Sequence, residues 1–287
     1  VFNGEIYNYI ELKKELQSKF QFKTQSDTEV LLNAYKEWGK KCLDKLNGMF
    51  AFAVWNKKQQ TLFVARDRFG VKPLYFHWED TNFYFASEIK TLFASGIKKV
   101  PNDKVWSNFF TEGSYGMPDE TFWQNIHQLP GGHCLTLKDN AFQIEKWYSF
   151  ENRTQSLFHH FENNEEAYIT NLLLKAINLR FRADVPVGFN LSGGLDSSTL
   201  LALIDQQDID KSAVEAFTFV TNDARYDELI WVESMLAKRP FHLNVCPLSA
   251  NEIPELSLKM SQHQMEPYGG ITTIAYSKIF QAASQKG

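Results

Sequence analysis

Residues 191–198, with the sequence LSGGLDSS, constrain the fold of this chain more than any other segment. They follow an apolar stretch at 185–191 that is typical of a buried strand, and they open a helical pattern at 196–205. A glycine-rich turn between a strand and a helix is where an open parallel sheet binds its ligands. The segment therefore predicts an α/β domain with a binding loop at the carboxyl end of a strand.

The composition of this loop indicates what it binds. The adjacent Gly193 and Gly194 let backbone amides approach an anion closely, and the start of a helix adds partial positive charge. Further hydrogen bonds can come from the hydroxyls of Ser192, Ser197 and Ser198. We expect a phosphate-binding loop, although it has neither the lysine of GxxxxGK[ST] nor the spacing of GxGxxG.

Asp196 lies inside this loop, where a lone carboxylate would repel phosphate. A divalent cation between the two groups would remove the repulsion, so we expect Asp196 to be a ligand of Mg²⁺. The alternative is structural. In that case the segment is a Gly/Ser-rich turn in which Asp196 caps the helix.

The seven residues SGGLDSS resemble the PP-loop of ATP pyrophosphatases, which split ATP into AMP and pyrophosphate while they adenylate a substrate. The resemblance implies an ATP site formed by Leu191, Ser192, Gly193, Gly194, Asp196, Ser197 and Ser198. The backbone of Leu191 would contact the adenosine. Phe219, at the end of the next strand, would contact the adenine.

The pattern of apolar residues divides the chain into two regions, separated by a polar run at 151–166. In the second region helices are predicted at 166–180, 196–205 and 226–238, and strands at 185–191, 214–220 and 242–245. Strands that alternate with helices predict a parallel sheet covered on both faces. The second domain is placed at 165–287, and the acidic Tyr226-Asp227-Glu228 is predicted to form the first turn of a helix.

In the first region, placed at 1–150, two helices have start signals at Asn8 and Ser26, and Gly39 is the predicted end of the second. Short aromatic and β-branched strands are predicted at 50–55, 61–65, 74–78 and 83–86. Such closely spaced strands predict one antiparallel meander. The charged segment Arg66-Asp67-Arg68 lies at a strand end and would ordinarily be a charged turn, and we assign no chemistry to it.

This first region carries a second resemblance. Asn3-Gly4-Glu5 and the later Asp27, with the blocks GMFAFAVW, ARDRFGVKPLYF and FASEIK, are similar to the class II glutaminase domain of asparagine synthetases over nearly all of 1–150. That family folds as an αββα N-terminal-nucleophile sandwich. The chain is therefore expected to be a two-domain α+β and α/β protein, with part of this sandwich followed by part of a PP-loop domain.

The resemblance implies a glutamine pocket. The side-chain amide of Asn3 and the backbone N–H of Gly4 would stabilise the oxyanion that forms when glutamine is hydrolysed. Glu5 and Asp27 would hold the α-amino group of glutamine. A structural alternative exists for each, because Asn-Gly is a common turn pair and an acidic residue is favoured at any helix start.

The chain departs from the family in its cysteines. Class II glutaminases use an N-terminal cysteine as nucleophile, and Cys42, Cys134 and Cys246 do not occupy such a place. Cys134 is predicted to be a small core residue. If the sequence is complete, its glutaminase is inactive. We expect instead that an N-terminal piece, with the nucleophile and a glutamine-binding arginine, is absent from this sequence. We also expect a second acidic glycine-rich motif to follow Lys286-Gly287.

A further departure concerns the acceptor. Relatives that use aspartate carry an Asp-Glu-Pro block with a further Asp nearby, whereas this chain keeps Glu266-Pro267 and has Gly269-Gly270. Glu266 is equally well explained as a residue that binds the acceptor substrate and as a helix-end residue before proline.

The joint resemblance implies a ligase in which glutamine supplies ammonia, ATP·Mg²⁺ adenylates a carboxylate and ammonia displaces AMP. Aspartate is the leading acceptor. The alternatives are an amidotransferase for another carboxylate such as a sugar acid of a surface polysaccharide, a relative that cyclises its substrate and has lost glutaminase function, and a non-catalytic nucleotide-binding relative. A homodimer is one expected assembly.

Charge and cysteine content exclude several other classes. The net charge is −4 and the 30 basic residues are spread along the chain, which argues against a nucleic-acid partner. Three widely spaced cysteines favour neither a disulfide framework nor a zinc site, and they indicate a reducing cytosol. No apolar run approaches the length of about 18 residues that a membrane helix needs, so no membrane partner is expected.

Overall fold

The computed structural model describes residues 1–157, 164–221, 223 and 225–286. The chain divides into two compact units, Val1–His160 and Phe161–Gly287. Residues 158–163 of the predicted linker and the terminal Gly287 lie outside the described residues. Among the described residues, no helix combines the length and apolar character needed to cross a membrane.

The first unit begins with a strand and combines β-strands with short helices. Its strands are β1 Phe2–Ile6, β2 Gly48–Asn56, β3 Thr61–Arg66, β4 Tyr75–Glu79, β5 Asn82–Ala86, β6 His127–Gln128, β7 His133–Lys138 and β8 Ala141–Lys146. Its helices are α1 Tyr9–Leu16, α2 Asp27–Trp38, α3 Cys42–Lys45, α4 Ile89–Ala94, α5 Asp103–Glu112 and α6 Phe150–Leu157.

These strands form two sheets, one with the order β1-β2-β3-β7-β8 and one with the order β5-β4-β6. Every strand pair in both is antiparallel, which confirms the predicted pairing direction. The prediction of a single meander is wrong, however. Strand β3 pairs with β7 and β4 with β5 and β6, so consecutive strands belong to different sheets.

Successive side chains of β2 point to opposite faces of the sheet, where they contribute to two separate cores. Phe50 and Phe52 point to one face, where they pack with Val30 and Leu31 of α2. Ala51 and Ala53 point to the opposite face, where they pack with residues of the second sheet such as Phe76. Small alanine side chains let two sheets approach closely. The unit therefore stacks a helical layer, the five-stranded sheet and the three-stranded sheet.

The helix start signals are confirmed in part. The Ser26 hydroxyl accepts a hydrogen bond from the Thr28 N–H, and α2 ends at Gly39 with φ +56°. Asn8 makes no side-chain cap for α1. Its amide instead donates to the Lys45 carbonyl and accepts from the Asn47 N–H, both at 2.9 Å, because packing brings the segment before β2 beside it.

A buried carboxylate directs the chain out of β3. Asp67 is 1% exposed, and its carboxylate accepts N–H groups from Phe50, Phe69, Val71 and Lys72 at 2.9–3.1 Å. The backbone therefore wraps around the Asp67 carboxylate and does not form a hairpin. This loop carries the chain from one sheet to the other and explains why the meander prediction fails.

The neighbouring Arg66 extends the same network. Its guanidinium donates to the carbonyls of Gly70 at 2.7 Å, Lys72 at 2.7 Å and Leu129 at 2.6 Å. Burial lowers the pKa of Arg66. A Cβ on Gly70, whose φ is +69°, would lie 3.0 Å from that guanidinium. The segment that the sequence predicts as a charged turn is thus a packed and hydrogen-bonded structural site at Arg66 and Asp67.

The second unit alternates helices and strands. Its helices are α7 Glu165–Arg180, α8 Leu195–Asp205, α9 Leu229–Leu236, α10 Ile253–Gln264 and α11 Ile271–Ser284, and its strands are β9 Val187–Asn190, β10 Val214–Val220 and β11 His242–Pro247. The strands form a parallel sheet with the order β11-β10-β9, which confirms the predicted parallel pairing. Along β10, Val214 and Ala216 pack with a core that includes Val232 of α9, whereas Phe217 packs with Ile279 of α11.

The Asp67 network predicts a large effect on stability. Asp67→Asn presents N–H donors to backbone N–H groups inside a buried loop, so we expect the first unit to lose about 2–4 kcal/mol of unfolding free energy. Urea titration followed by tryptophan fluorescence measures this, because six of the seven tryptophans lie in the first unit. Asp44→Asn, at an aspartate with 59% side-chain exposure, is the control with little expected change. Equal midpoints for the two variants would contradict the assignment.

Candidate functional sites

The structure places three of the four residues predicted for the glutamine pocket in strand β1 and bonds the fourth to that strand. Asn3, Gly4 and Glu5 lie in β1, an edge strand of the five-stranded sheet. Asp27, the first residue of α2, accepts the Ile6 N–H of the same strand at 2.9 Å. This hydrogen bond between Ile6 and Asp27, 21 positions apart, brings Asp27 to the strand that carries Asn3, Gly4 and Glu5.

Gly4 is required by its backbone. It lies opposite Phe50 with φ +151°, and a Cβ at this position would lie 2.1 Å from the Met49 carbonyl oxygen. A larger residue would push β1 away from β2. The alternative that Asn3-Gly4 is a turn pair is wrong, because both residues lie inside a strand.

The direction of the Gly4 N–H follows from the ladder. Val1 and Ala53 exchange both backbone hydrogen bonds, so every second residue of β1 is bonded to β2. The residues between them point their N–H groups to the outer edge, as the Ile6 N–H does towards Asp27. By the same alternation the Gly4 N–H is directed away from β2.

The side chain of Asn3 lines a cleft of about 560 Å³. The cleft lies between the first two strands and the junction of β5 with α4, and its polar lining includes Ser87, Glu88 and Thr91. Asn3 Nδ2 donates to Ser87 Oγ at 3.0 Å. Glu5 is exposed. The cleft thus holds a side-chain amide at its wall, fixed by a hydroxyl from a distant segment.

The three cysteines are free thiols inside hydrophobic cores. Burial raises the pKa of Cys42 to about 12 and that of Cys134 to about 11, and it also raises the pKa of Cys246. A nucleophilic cysteine needs an exposed thiolate near neutral pH. None of these three thiols meets that requirement, and the prediction of Cys134 as a core residue is confirmed.

In the second unit the glycine-rich segment forms the predicted link between β9 and α8. The Leu191 N–H donates to the Phe217 carbonyl of β10 at 2.8 Å, and Leu191 is fully buried. The Ser197 hydroxyl donates to the Ser192 carbonyl at 2.8 Å, and the Ser198 hydroxyl to the Leu195 carbonyl at 2.9 Å. These hydroxyls close the loop on itself, so its backbone is held in place.

An anionic side chain already uses one amide of this loop. The Gly193 N–H donates to a carboxylate oxygen of Glu228 at 2.9 Å, and a Cβ on Gly193 would lie 3.3 Å from Glu228 and Trp231. The Glu228 carboxylate oxygen is thus an anionic acceptor bound to the Gly193 N–H. The arrangement fits a phosphate group as an alternative acceptor.

Asp196 lies exposed in the first turn of α8. No side-chain bond caps this helix at Gly194. In the described part of the chain, no group of three or more histidines, cysteines or acidic residues could hold a metal ion.

Phe219 lies near the carboxyl end of β10, as predicted. It is partly buried and contacts Tyr276 of α11 edge-on, with ring centroids 6.3 Å apart. Because Leu191 is bonded to the same strand at Phe217, both residues lie at the carboxyl edge of the sheet. The structure therefore brings the loop and Phe219 to one edge.

The sequence missed two residues that contact these sites, Ser87 and Glu228. Ser87 lies in the FASEIK block, but no local pattern links it to Asn3. The prediction that Asp227 and Glu228 form a first helical turn is wrong, because α9 begins at Leu229. Asp227 instead accepts from the N–H and hydroxyl of Thr221, and Glu228 accepts from Gly193, since the chain before α9 folds back over the sheet edge.

The class of each unit follows from comparison with known protein families. Residues 1–148 match the glutamine amidotransferase domain family, and residues 168–287 match the asparagine synthase family. The chain belongs to the glutamine amidotransferase domain family, and its second unit matches the asparagine synthase family.

Individual relatives show the same pattern. The chain is 39% identical to asparagine synthetase [glutamine-hydrolyzing] 3 of Bacillus subtilis over 207 residues. This aligned region covers 71% of this chain and 33% of the relative. It is 32% identical to putative asparagine synthetase [glutamine-hydrolyzing] 2 of Methanocaldococcus jannaschii over 289 residues, a region that covers 99% of this chain and 54% of the relative. Amidase chyE of Penicillium rubens is 33% identical over 71% of this chain and 30% of its own length. The chain thus spans about a third to a half of these relatives.

Burial of the thiols predicts their reactivity and a pH dependence. Cys42 and Cys134 should resist a thiol reagent at pH 8 in the native state and react after denaturation. Their folded pKa values exceed the ordinary 9.0, so their contribution to stability is present below pH 9 and is lost as pH rises towards about 11–12. Unfolding free energy should fall more steeply over that window in wild type than in Cys42→Ala. Native labelling at pH 8 as fast as in urea would contradict the assignment.

Proposed function

We propose that the complete protein containing this chain is a glutamine-dependent, ATP-consuming ligase that converts a carboxylate into an amide. The first unit would be an αββα N-terminal-nucleophile domain that hydrolyses glutamine, and the second a PP-loop domain. The observation that carries the proposal is the pair of donors on β1, the Asn3 amide in the cleft and the outward-facing Gly4 N–H. The family matches on both units support it.

The glutaminase half depends on charge that develops during the reaction. When a nucleophile attacks the glutamine amide, its carbonyl oxygen becomes an oxyanion, and preorganised N–H donors stabilise it. Asn3 Nδ2 and Gly4 N would be those donors. Asp27 and Glu5 would bind the α-amino group. One carboxylate oxygen of Asp27 accepts the Ile6 N–H and the other accepts the Thr28 hydroxyl at 3.4 Å. The nucleophile is not one of the three buried cysteines.

The synthetase half depends on the loop after β9. The amides of Gly193 and Gly194 with the start of α8 would bind the phosphates of ATP, and Phe219 and the backbone of Leu191 would bind the nucleoside. The carboxylate that Gly193 binds in this structure supports an anionic ligand at that amide. Mg²⁺ would be held by Asp196 and would screen the phosphate charge. These residues would orient ATP for transfer of AMP to the acceptor.

Aspartate is the acceptor we propose, with asparagine as the product. The glycine at position 270 is one departure from the aspartate-using pattern. It has a structural explanation, because Gly270 precedes α11 with φ +85°, a backbone conformation that favours glycine. Glu266 follows the end of α10, beside this turn. We further propose a cytosolic location, which the free cysteines favour, and a homodimer, which a solution mass measurement decides.

The ATP site is tested by the charge of Asp196. Asp196→Asn in the complete protein should lower Mg²⁺-dependent pyrophosphate release at least tenfold, since a metal-bound carboxylate on a triphosphate is worth more than about 1.4 kcal/mol. Asp208→Asn makes the same charge change at an exposed aspartate beyond the other end of α8 and should have no effect. Unchanged pyrophosphate release in Asp196→Asn would show that the residue only favours the helix start.

The glutamine site is tested by separating the two half-reactions. Removal of one oxyanion donor costs about 10²–10³ in rate, so Asn3→Ala should abolish most glutamine-driven synthesis. Synthesis from ammonium chloride and aspartate should stay within a few-fold of wild type. Equal losses with glutamine and ammonium would make Asn3 structural. Failure of wild type to use ammonium with aspartate would refute the aspartate assignment.

A further inference from the structure

The hydrogen bond between Asn3 and Ser87 joins two parts of the first unit that are 84 positions apart in the sequence. Asn3 belongs to the five-stranded sheet, and Ser87 follows β5 of the three-stranded sheet. The bond therefore crosses from one sheet to the other at the wall of the cleft. It is partly buried, so water competes with it less than on an open surface.

An asparagine side chain needs such a partner to hold one orientation. The χ2 torsion of asparagine is broad, and the amide can present either its oxygen or its nitrogen to a ligand. In this structure Nδ2 donates one hydrogen to Ser87 Oγ at 3.0 Å. The second hydrogen on Nδ2 is then available to a ligand, and the Nδ2 side of the amide stays at the cleft.

The position of Ser87 is itself fixed by packing. It lies between Ala86, the last residue of β5, and Glu88, which precedes α4. Ile89 and Leu92 anchor α4 in the interior, each 2% exposed. The Ser87 hydroxyl is therefore held between two secondary-structure elements. It gives the Asn3 amide, the donor of the bond, a fixed acceptor.

We propose that Ser87 is a positioning residue for glutamine hydrolysis, which acts by orienting the Asn3 amide towards the oxyanion. The inference rests on the proposed glutaminase function of the first unit. Ser87 itself need not touch glutamine. Because its effect is on a donor that strengthens in the transition state, its loss should lower kcat more than it raises KM.

The test measures glutamine hydrolysis and ammonium-dependent synthesis in the complete protein. Ser87→Ala should lower the glutaminase kcat about tenfold or more with KM within about twofold, and leave the ammonium reaction unchanged. Ser87→Thr keeps the hydroxyl and should restore most of the activity. Ser95→Ala makes the same change beside the other end of α4, where the hydroxyl donates to the Leu92 carbonyl, and should behave as wild type.

A double variant separates positioning from a general structural effect. In the Asn3→Ala background, Ser87→Ala should have no further effect on glutamine hydrolysis, because the group that it orients is absent. Losses that multiply, or a Ser87→Ala enzyme with normal kcat while Asn3→Ala is impaired, would overturn the inference and leave the proposed function standing. Absence of glutaminase activity in the wild-type protein, with glutamine saturating, would refute both.

Discussion

The first unit depends on the buried carboxylate of Asp67. Four backbone N–H groups converge on it, one from β2 and three from the loop after β3. Its own N–H donates to the Phe50 carbonyl and its carbonyl accepts the Gly132 N–H at 2.7 Å. One residue therefore joins β2, the crossing loop and the segment before β7. Burial of a carboxylate is tolerated here because backbone donors satisfy it.

The candidate glutamine site is built on this framework. Phe50 directs both of its backbone groups towards Asp67. Gly4 and Phe50 form a non-hydrogen-bonded pair of the ladder, so the Gly4 N–H is directed to the outer edge of β1. The close approach of β1 to β2 requires glycine on both strands, since a Cβ on Gly48 would lie 2.1 Å from the Glu5 carbonyl oxygen. Framework and site are therefore coupled through the backbone.

The second unit uses a more local design. Its loop is closed by serine hydroxyls only three to five residues from their partners, and the parallel sheet places the loop at the carboxyl edge. A long-range contact is added by Glu228, whose carboxylate binds the Gly193 amide. A phosphate that bound this amide would have to displace Glu228, so the same geometry that supports an anion site also sets a competing interaction within the chain.

The sequence by itself determined the features that are local. The periods of apolar residues identified the antiparallel and parallel regions, and the loop at Gly193 was found because its donors lie within a few consecutive residues. Tertiary structure decided the division of strands into two sheets, the buried role of Asp67, the contact of Asn3 with Ser87 and that of Gly193 with Glu228. The contacts of Phe50 with Asp67, of Gly193 with Glu228 and of Asn3 with Ser87 join residues 17, 35 and 84 positions apart. Only packing of whole elements brings such residues together, and no local pattern of polarity or turn chemistry records it.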